Sequence, residues 1–278
     1  MFHYILTTDF SKGSQKALDY AAYLATQSNS NLTLLWVDNT IKQDFEEVDN
    51  SIKDEGRKSL TTECNRIKIL FPNLKIDKKI KSGKVYQEIS SFVKTQTNPL
   101  LVLSSHGASG YKDLWIGSNA NRIITNTNCP VLIVRRNIEN TDIIISKILV
   151  PIDHTHDTLK KLNFIIPIAK IFNSEIKIVS IYSNLLNSLN IKVEQNLSIA
   201  KQNIDKTTLK ATYDKIVSDN IANDLLKYIT NCNCDLVVIM NEQNLLKDNN
   251  LIGELPMQII NQSVIPVLSI PSIENNNI

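Results

Sequence analysis

The residues best placed to do chemistry run Ser104-Ser105-His106-Gly107-Ala108-Ser109-Gly110, followed by Gly117-Ser118-Asn119. Three of the chain's seven glycines fall within the eleven residues from 107 to 117. Glycine lets backbone approach a phosphate closely and adopt positive φ. A helix opening at Ser118 would add unpaired N–H groups and about half a positive charge. Ser118 reads as the N-cap of that helix, and its hydroxyl could turn to a phosphate oxygen instead. The chemistry suggested is anion binding, although a glycine-rich turn before a capped helix with nothing bound reads the same way. His106 could contact a phosphate through its ring or simply pack. No nucleophile motif accompanies it to make it a general base.

Other clusters carry less. Asp153-His154-Thr155-His156-Asp157 has metal-ligand types but no distant cysteine or carboxylate to complete a set, and reads as a polar helix N-terminus. Cys232-Asn233-Cys234 lacks the two-residue gap of redox or zinc pairs and reads as a reduced loop before a strand. Lys78, Lys79 and Lys81 read as a solvated strand end. There is no Gly-Lys-Ser/Thr phosphate loop, no Gly-x-Ser-x-Gly elbow and no full Gly-x-Gly-x-x-Gly turn. Phosphate-loop kinases, α/β-hydrolases and dinucleotide enzymes are therefore disfavoured. No catalytic residue is assigned.

The elements that must hold the loop come as a repeat. His3-Tyr4-Ile5-Leu6-Thr7-Thr8-Asp9 reads like Lys147-Ile148-Leu149-Val150-Pro151-Ile152-Asp153, 144 positions on. Ile116-Gly117, Arg122-Ile123-Ile124 and Cys129-Pro130-Val131-Leu132 read like Ile252-Gly253, Gln258-Ile259-Ile260 and Ile265-Pro266-Val267-Leu268, at an offset of 136. A period of about 140 residues means duplicated domains rather than a solenoid. The spacing predicts domains at 1–137 and 146–272, divided by the polar stretch Arg135 to Ser146.

Each copy alternates apolar runs with amphipathic stretches. The first predicts strands at Tyr4–Thr7, Leu32–Val37, Leu74–Ile80, Leu100–Ser104 and Val131–Val134. Between them lie helical patterns from Ser11 to Gln27, Phe45 to Leu70, Val85 to Lys94 and Ser118 to Asn126. The second predicts strands at Ile148–Ile152, Ile176–Ile181, Ala211–Val217, Leu236–Met240 and Val267–Ile270. Continuous apolar strands alternating with helices argue for a parallel sheet covered on both faces. Ligands of such sheets bind beyond the carboxyl ends of the strands, where the strand order reverses.

Composition narrows the class. The chain has 278 residues, 42% hydrophobic and 21% charged, with net charge +2. A pI of 8.2 from scattered lysines argues against an electrostatic nucleic-acid binder. No apolar run approaches the ~20 residues of a membrane helix. The opening MFHYILTTDF lacks the pattern of a signal peptide. Four cysteines fit a reducing cytoplasm, so a cytoplasmic location is expected.

Ser104-Ser105-His106-Gly107, nine residues, Gly117-Ser118 and then Cys129-Pro130-Val131-Leu132-Ile133-Val134 resemble the signature of the universal stress protein family. The family pattern is Gly, two residues, Gly, nine residues, Gly, then Ser or Thr. The resemblance covers nearly the whole chain as two tandem copies, with a first strand ending at Asp9. It implies two Rossmann-like α/β domains, each a five-stranded parallel sheet of order 3-2-1-4-5. It also implies dimers pairing fifth strands, which the two copies of one chain could mimic as a pseudo-dimer. The implied ligand is ATP or AMP, with Mg²⁺ a candidate companion, and the implied role is regulation or sensing in a stress response with an unidentified protein partner. Carried over, Asp9 sits at the adenosine, Val37 lines the adenine pocket, and Gly107, Gly117 and Ser118 hold phosphates. Leu103, Ser104, His106 and Asn119 lie alongside. Two residues depart: Ser104 stands for the first motif glycine, and Thr7 for the usual proline.

The second copy departs further. Met240, Glu242, Gln243 and Leu246 fall opposite Ser104, His106, Gly107 and Gly110, and Gly253 alone survives, opposite Gly117. Glu254 replaces Ser118. A carboxylate at a helix N-terminus occupies the field a phosphate would use and repels it. No nucleotide is expected in the second domain. The rival readings are a nucleotide-free dimeric scaffold with both sites vestigial, and a weak ATPase with at most slow ATP hydrolysis.

Overall fold

The structure, a computed structural model, describes residues 2–39, 46–105, 116–135, 143–241 and 253–272. The chain divides into two compact units, Met1–Asn137 and Ile138–Ile278.

The first unit runs β1 (His3–Thr8), α1 (Lys12–Gln27), β2 (Leu32–Asp38), α2 (Glu46–Leu70), β3 (Ile76–Ser82), α3 (Val85–Lys94), β4 (Pro99–Ser104), α4 (Ser118–Asn126) and β5 (Val131–Val134). All strand pairs are parallel, in the order β3-β2-β1-β4-β5. The second unit runs β6 (Lys147–Ile152), a 3-10 turn (His156–Leu159), α5 (Lys160–Phe172), β7 (Glu175–Tyr182), α6 (Asn187–Asp205), β8 (Ala211–Val217), α7 (Ile221–Asn231), β9 (Leu236–Asn241), α8 (Glu254–Gln262) and β10 (Val267–Pro271). Its parallel order, β8-β7-β6-β9-β10, is again 3-2-1-4-5.

Burial explains why these segments pair. Leu100, Leu101, Val102 and Leu103 of β4 are all at most 2% exposed. Successive side chains point to opposite faces, so both faces of the sheet are covered. α1 lies against β1, β4 and β5, and α2 against β2 and β3, while α3 packs on β2 and β3 and against α4. α1 presents Ala17, Leu18, Ala21, Leu24 and Ala25 at helical spacing, all buried.

Two details differ from the sequence reading. β3 covers Ile76–Ser82, not Leu74–Ile80. Leu74 is buried, but it sits in the turn before the strand, where its N–H donates to Phe71 O at 3.0 Å. β3 is also largely exposed, because it ends the sheet and has β2 as its strand neighbour. Ser118 is not the N-cap of α4. Gly117 caps the helix with φ −59° and ψ 147°, and Ser118 is its first residue.

Among the described non-glycine residues, left-handed backbone falls on Phe10 and four asparagines. Asn29, Asn98, Asn173 and Asn233 have φ between 49° and 52°, each between a helix and the strand that follows. Asparagine tolerates this region better than other side chains, so it does here what glycine does at many helix ends.

Candidate functional site

The carboxyl ends of β1, β2 and β4 and the start of α4 enclose a cleft of about 480 Å³. β1 lies between β2 and β4, where the chain order reverses, the position at which open parallel sheets bind ligands.

β1 contributes Thr7 and Thr8, and Asp9 follows it. A closed hydroxyl network sets this corner. Thr8 Oγ1 donates to Ser14 Oγ at 3.2 Å and accepts from Phe10 N–H at 3.0 Å. Ser14 Oγ donates to Ser11 O at 2.9 Å, and Ser11 Oγ caps α1 by accepting from Ser14 N–H at 3.2 Å. Asp9 is exposed, and its Oδ1 accepts from Ser11 N–H at 3.1 Å. Asp9 therefore braces the start of α1 while lining the cleft.

β2 contributes Leu35, Trp36 and Val37, with Asn39 beyond it. Val37 is 7% exposed and gives the cleft an apolar wall, to which α3 adds Val85 and Ile89. The Trp36 ring packs against Phe10, centroids 5.8 Å apart and planes tilted by 44°. Phe10 holds φ at 62°, costly for an aromatic residue.

β4 and α4 supply the polar end. Leu103 is buried, Ser104 is half-buried, and Ser105 anchors the helix start: its carbonyl accepts from Gly117 N–H at 2.9 Å. Ser118 and Asn119 are exposed in the cleft wall. The first N–H bonded inside this helix is that of Asn121, to Gly117 O at 3.0 Å. Gly117 brings no capping side chain, so the N–H groups of Ser118, Asn119 and Ala120 meet no side-chain cap.

A Cβ on Gly117 would touch the Ser105 carbonyl at 3.7 Å, an ordinary contact. Among the described residues, then, packing does not demand glycine there. The glycine keeps a side chain out of the cleft. Its volume falls within the roughly 300–1,000 Å³ typical of small-molecule sites, with one apolar wall and one end of helix N–H groups and hydroxyls. That donor set suits a ligand with an aromatic face and an anionic tail, so the residues present fit an adenine nucleotide.

The structure thus brings together Asp9, Val37, Leu103, Ser104, Gly117, Ser118 and Asn119. His106 and Gly107 lie outside the described residues. Sequence reasoning missed Trp36, Ser14 and Val85 in the lining. Trp36 precedes Val37 in the same strand, and that adjacency was a usable signal.

The corresponding corner of the second unit is built differently. Lys161 takes the place that Ala17 has in the first unit, by the 144-residue offset, and is 2% exposed. Its ammonium donates to Pro151 O at 2.5 Å. Asp153 Oδ1 accepts from Thr155 N–H at 2.8 Å and Thr155 Oγ1 at 2.6 Å. Asn196 Nδ2 donates to the carbonyls of Asp153 at 2.8 Å and Thr155 at 3.1 Å. Burial pushes the Asp153 carboxyl up, but the Lys161 ammonium and the Thr155 donors hold it below the ordinary carboxylate range. α8 repeats the glycine cap at Gly253 but opens on Glu254. The loop 153–157 and its surroundings gather no metal-binding cluster among the described residues. No helix among the described residues is long and apolar enough to cross a membrane.

Comparison with known proteins agrees with both halves. The universal stress protein family model matches residues 1–135 and again 145–271. Universal stress protein YxiE of Bacillus subtilis (strain 168) is 31% identical over 150 residues, covering 49% of this chain and all of that protein. Universal stress protein MJ0531 of Methanocaldococcus jannaschii is 25% identical over 141 residues, covering 48% of this chain and 81% of that one. The crystal structure of a universal stress protein from Archaeoglobus fulgidus superposes with a TM-score of 0.76 at 16% identity, covering 98% of each chain, a likeness of fold. With two family matches spanning nearly all of its length, this chain belongs to the universal stress protein family, as a tandem member.

Proposed function

We propose that the first unit binds an adenine nucleotide, ATP or AMP, and that the protein acts as a nucleotide-dependent regulator in a stress response. The observation that carries this reading is the start of α4. Its first-turn N–H groups open on the cleft through a glycine cap, where a helix N-terminus favours anionic groups. In the proposed arrangement Val37 and its apolar neighbours hold the base, and Asp9 and Ser104 lie at the sugar. Gly117 and Ser118, with Gly107, take the phosphates, and Leu103, His106 and Asn119 lie alongside. When bound, the nucleotide supplies negative charge that Mg²⁺ can share in the ATP form. The chain's part is to bind and orient that charge. A ligand that favours one conformation of the protein shifts its population, and a partner protein reads the result. No residue here is proposed to catalyse hydrolysis.

In the second unit, Glu254 and the internally bonded Lys161–Asp153 corner support a nucleotide-free partner domain. A rival reading, a scaffold with both sites vestigial, draws on Ser104, whose side chain stands where the family motif has glycine.

Calorimetric titration of the purified protein with ATP and Mg²⁺, beside Ser118→Glu, separates the two. Binding that is lost in Ser118→Glu supports the reading. No binding at millimolar ATP overturns it and leaves the scaffold.

A further inference from the structure

In the second unit, the turn between α7 and β9 brings two thiols together. Cys232 ends α7 with φ −86° and ψ −4°, and Asn233 follows in the left-handed region at φ 51°. A right-handed then left-handed pair of residues folds the chain back on itself. The two cysteines therefore come closer than extended backbone would bring them. Cys234 Sγ donates to Cys232 O at 3.6 Å, and Cys232 Sγ to Ile229 O at 3.5 Å. The turn is held on both sides. α7 precedes it, and Asp235 after it accepts from Ser146 N–H at 2.9 Å, Ser146 Oγ at 2.8 Å and Lys147 N–H at 2.9 Å.

The two sulfurs are electrostatically unlike. The neighbouring Cys234 thiol holds the Cys232 thiol below the ordinary thiol range against the cost of burial, and the Lys177 ammonium adds to it. The Cys232 sulfur beside it, together with burial, pushes the Cys234 thiol up. One sulfur is thus the better anion and the other keeps its proton beside it. Among the described residues no cluster of three or more His, Cys, Asp or Glu could hold a metal, so a tetrahedral zinc set is not assembled.

We propose that Cys232 and Cys234 are an oxidisable dithiol that closes to a disulfide across Asn233 when the protein meets a hydroperoxide. The Cys232 thiolate attacks a peroxide oxygen. The O–O bond breaks, the sulfur becomes a sulfenic acid, and the peroxide leaves as an alcohol or water after taking up a proton. The Cys234 sulfur then attacks the Cys232 sulfur. The S–S bond forms, the S–O bond breaks, and hydroxide leaves as water with the Cys234 proton. Two thiols lose two electrons and two protons, and one hydroperoxide is reduced. Both residues are buried, at 8% and 5% exposed, in a turn whose middle residue, Asn233, is exposed. A ring closed over one intervening residue is tight, and tight disulfides are readily reduced. This inference is independent of nucleotide binding.

The test is intact-mass spectrometry of the full chain, folded, after brief exposure to hydrogen peroxide, with peptide mapping. The expected product has lost two hydrogen atoms, carries its crosslink within the peptide holding 232–234, and is restored by dithiothreitol. Cys64 and Cys129 are buried with thiols pushed up, Cys129 to about 12 by burial, and serve as internal controls that stay reduced. In Cys234→Ala the same exposure leaves Cys232 one oxygen heavier and reactive to dimedone. Three results overturn the proposal: no change in mass until denaturant is added, oxygen added to Cys232 in the wild-type chain without crosslinking, or a crosslink through Cys64 or Cys129. The wild-type measurement needs no variant to fold.

Discussion

Gly56 lies in α2 against the Trp36 ring, and a Cβ there would sit 2.1 Å from Trp36 Cη2 and within 2.6 Å of two further ring carbons. Alanine would favour the helix by ~0.8–1.0 kcal/mol. Forcing a methyl group into a filled contact costs ~1–3 kcal/mol. The clash wins, because a tilted indole held by Phe10 cannot yield that distance without leaving its place. Gly56→Ala is expected to lower the urea midpoint at unchanged slope, a net loss of up to about 2 kcal/mol. Lys161 is the opposite case, a residue whose importance the sequence hides, since a lysine in a helical stretch reads as solvated. Lys161→Met keeps the stem and removes the charge. The Asp153 carboxyl is held below its unfolded value, so it stabilises the fold above that value and the benefit is lost as pH falls through the folded one. With Lys161 neutralised the folded value rises. Acid unfolding followed by circular dichroism should then begin at higher pH, and the variant should lose about 2 kcal/mol at neutral pH.

The central strands were legible as elements because their apolar runs are continuous, and that continuity is itself the consequence of helices on both faces. β5, Val131–Val134, is a case where sequence and structure agree to the residue. The outer strand was misplaced by two residues because Leu74 is apolar for the turn rather than for the sheet. Helix starts were read to within one position. Ser118 is the better capping residue by chemistry, yet Gly117 takes the cap and leaves the serine inside the first turn, a choice that only the tie from Gly117 N–H to Ser105 O reveals. The outer strand β3 also carries its own protection. Lys78, Lys79 and Lys81 are exposed along it, and charged side chains keep a terminal strand from adding a strand of another chain. Replacing Lys79 and Lys81 together with valine should leave the protein's circular dichroism intact and produce association with time, seen as rising light scattering. Unchanged scattering would show that those lysines do not guard the edge.

Two units share one topology, but each has finished its strand ends differently. The first leaves a glycine-capped helix start facing a cleft. The second places Glu254 at the same helix start and fills its corner with Lys161, Asp153 and Asn196. On the proposed function, the ATP titration saturates at one nucleotide per chain. It stays at one in Glu254→Ser, since removing one carboxylate does not empty the corner behind it. A second equivalent in that variant would mean that Glu254 alone excludes the ligand. The duplication was legible from the paired motifs, and the order of strands came with the family resemblance. The asymmetry was legible only in part: Glu254 announced itself by charge, whereas the buried ammonium needed coordinates.

The pairing of Trp36 with Phe10 at the cleft mouth has a spectroscopic corollary. The chain has two tryptophans, Trp36 and Trp115, and both belong to the first unit. Light absorbed at the red edge of the protein spectrum therefore excites indoles of the first unit alone, while the second is silent there. The protein carries an intrinsic optical label on the half that bears the cleft, with no dye and no substitution required.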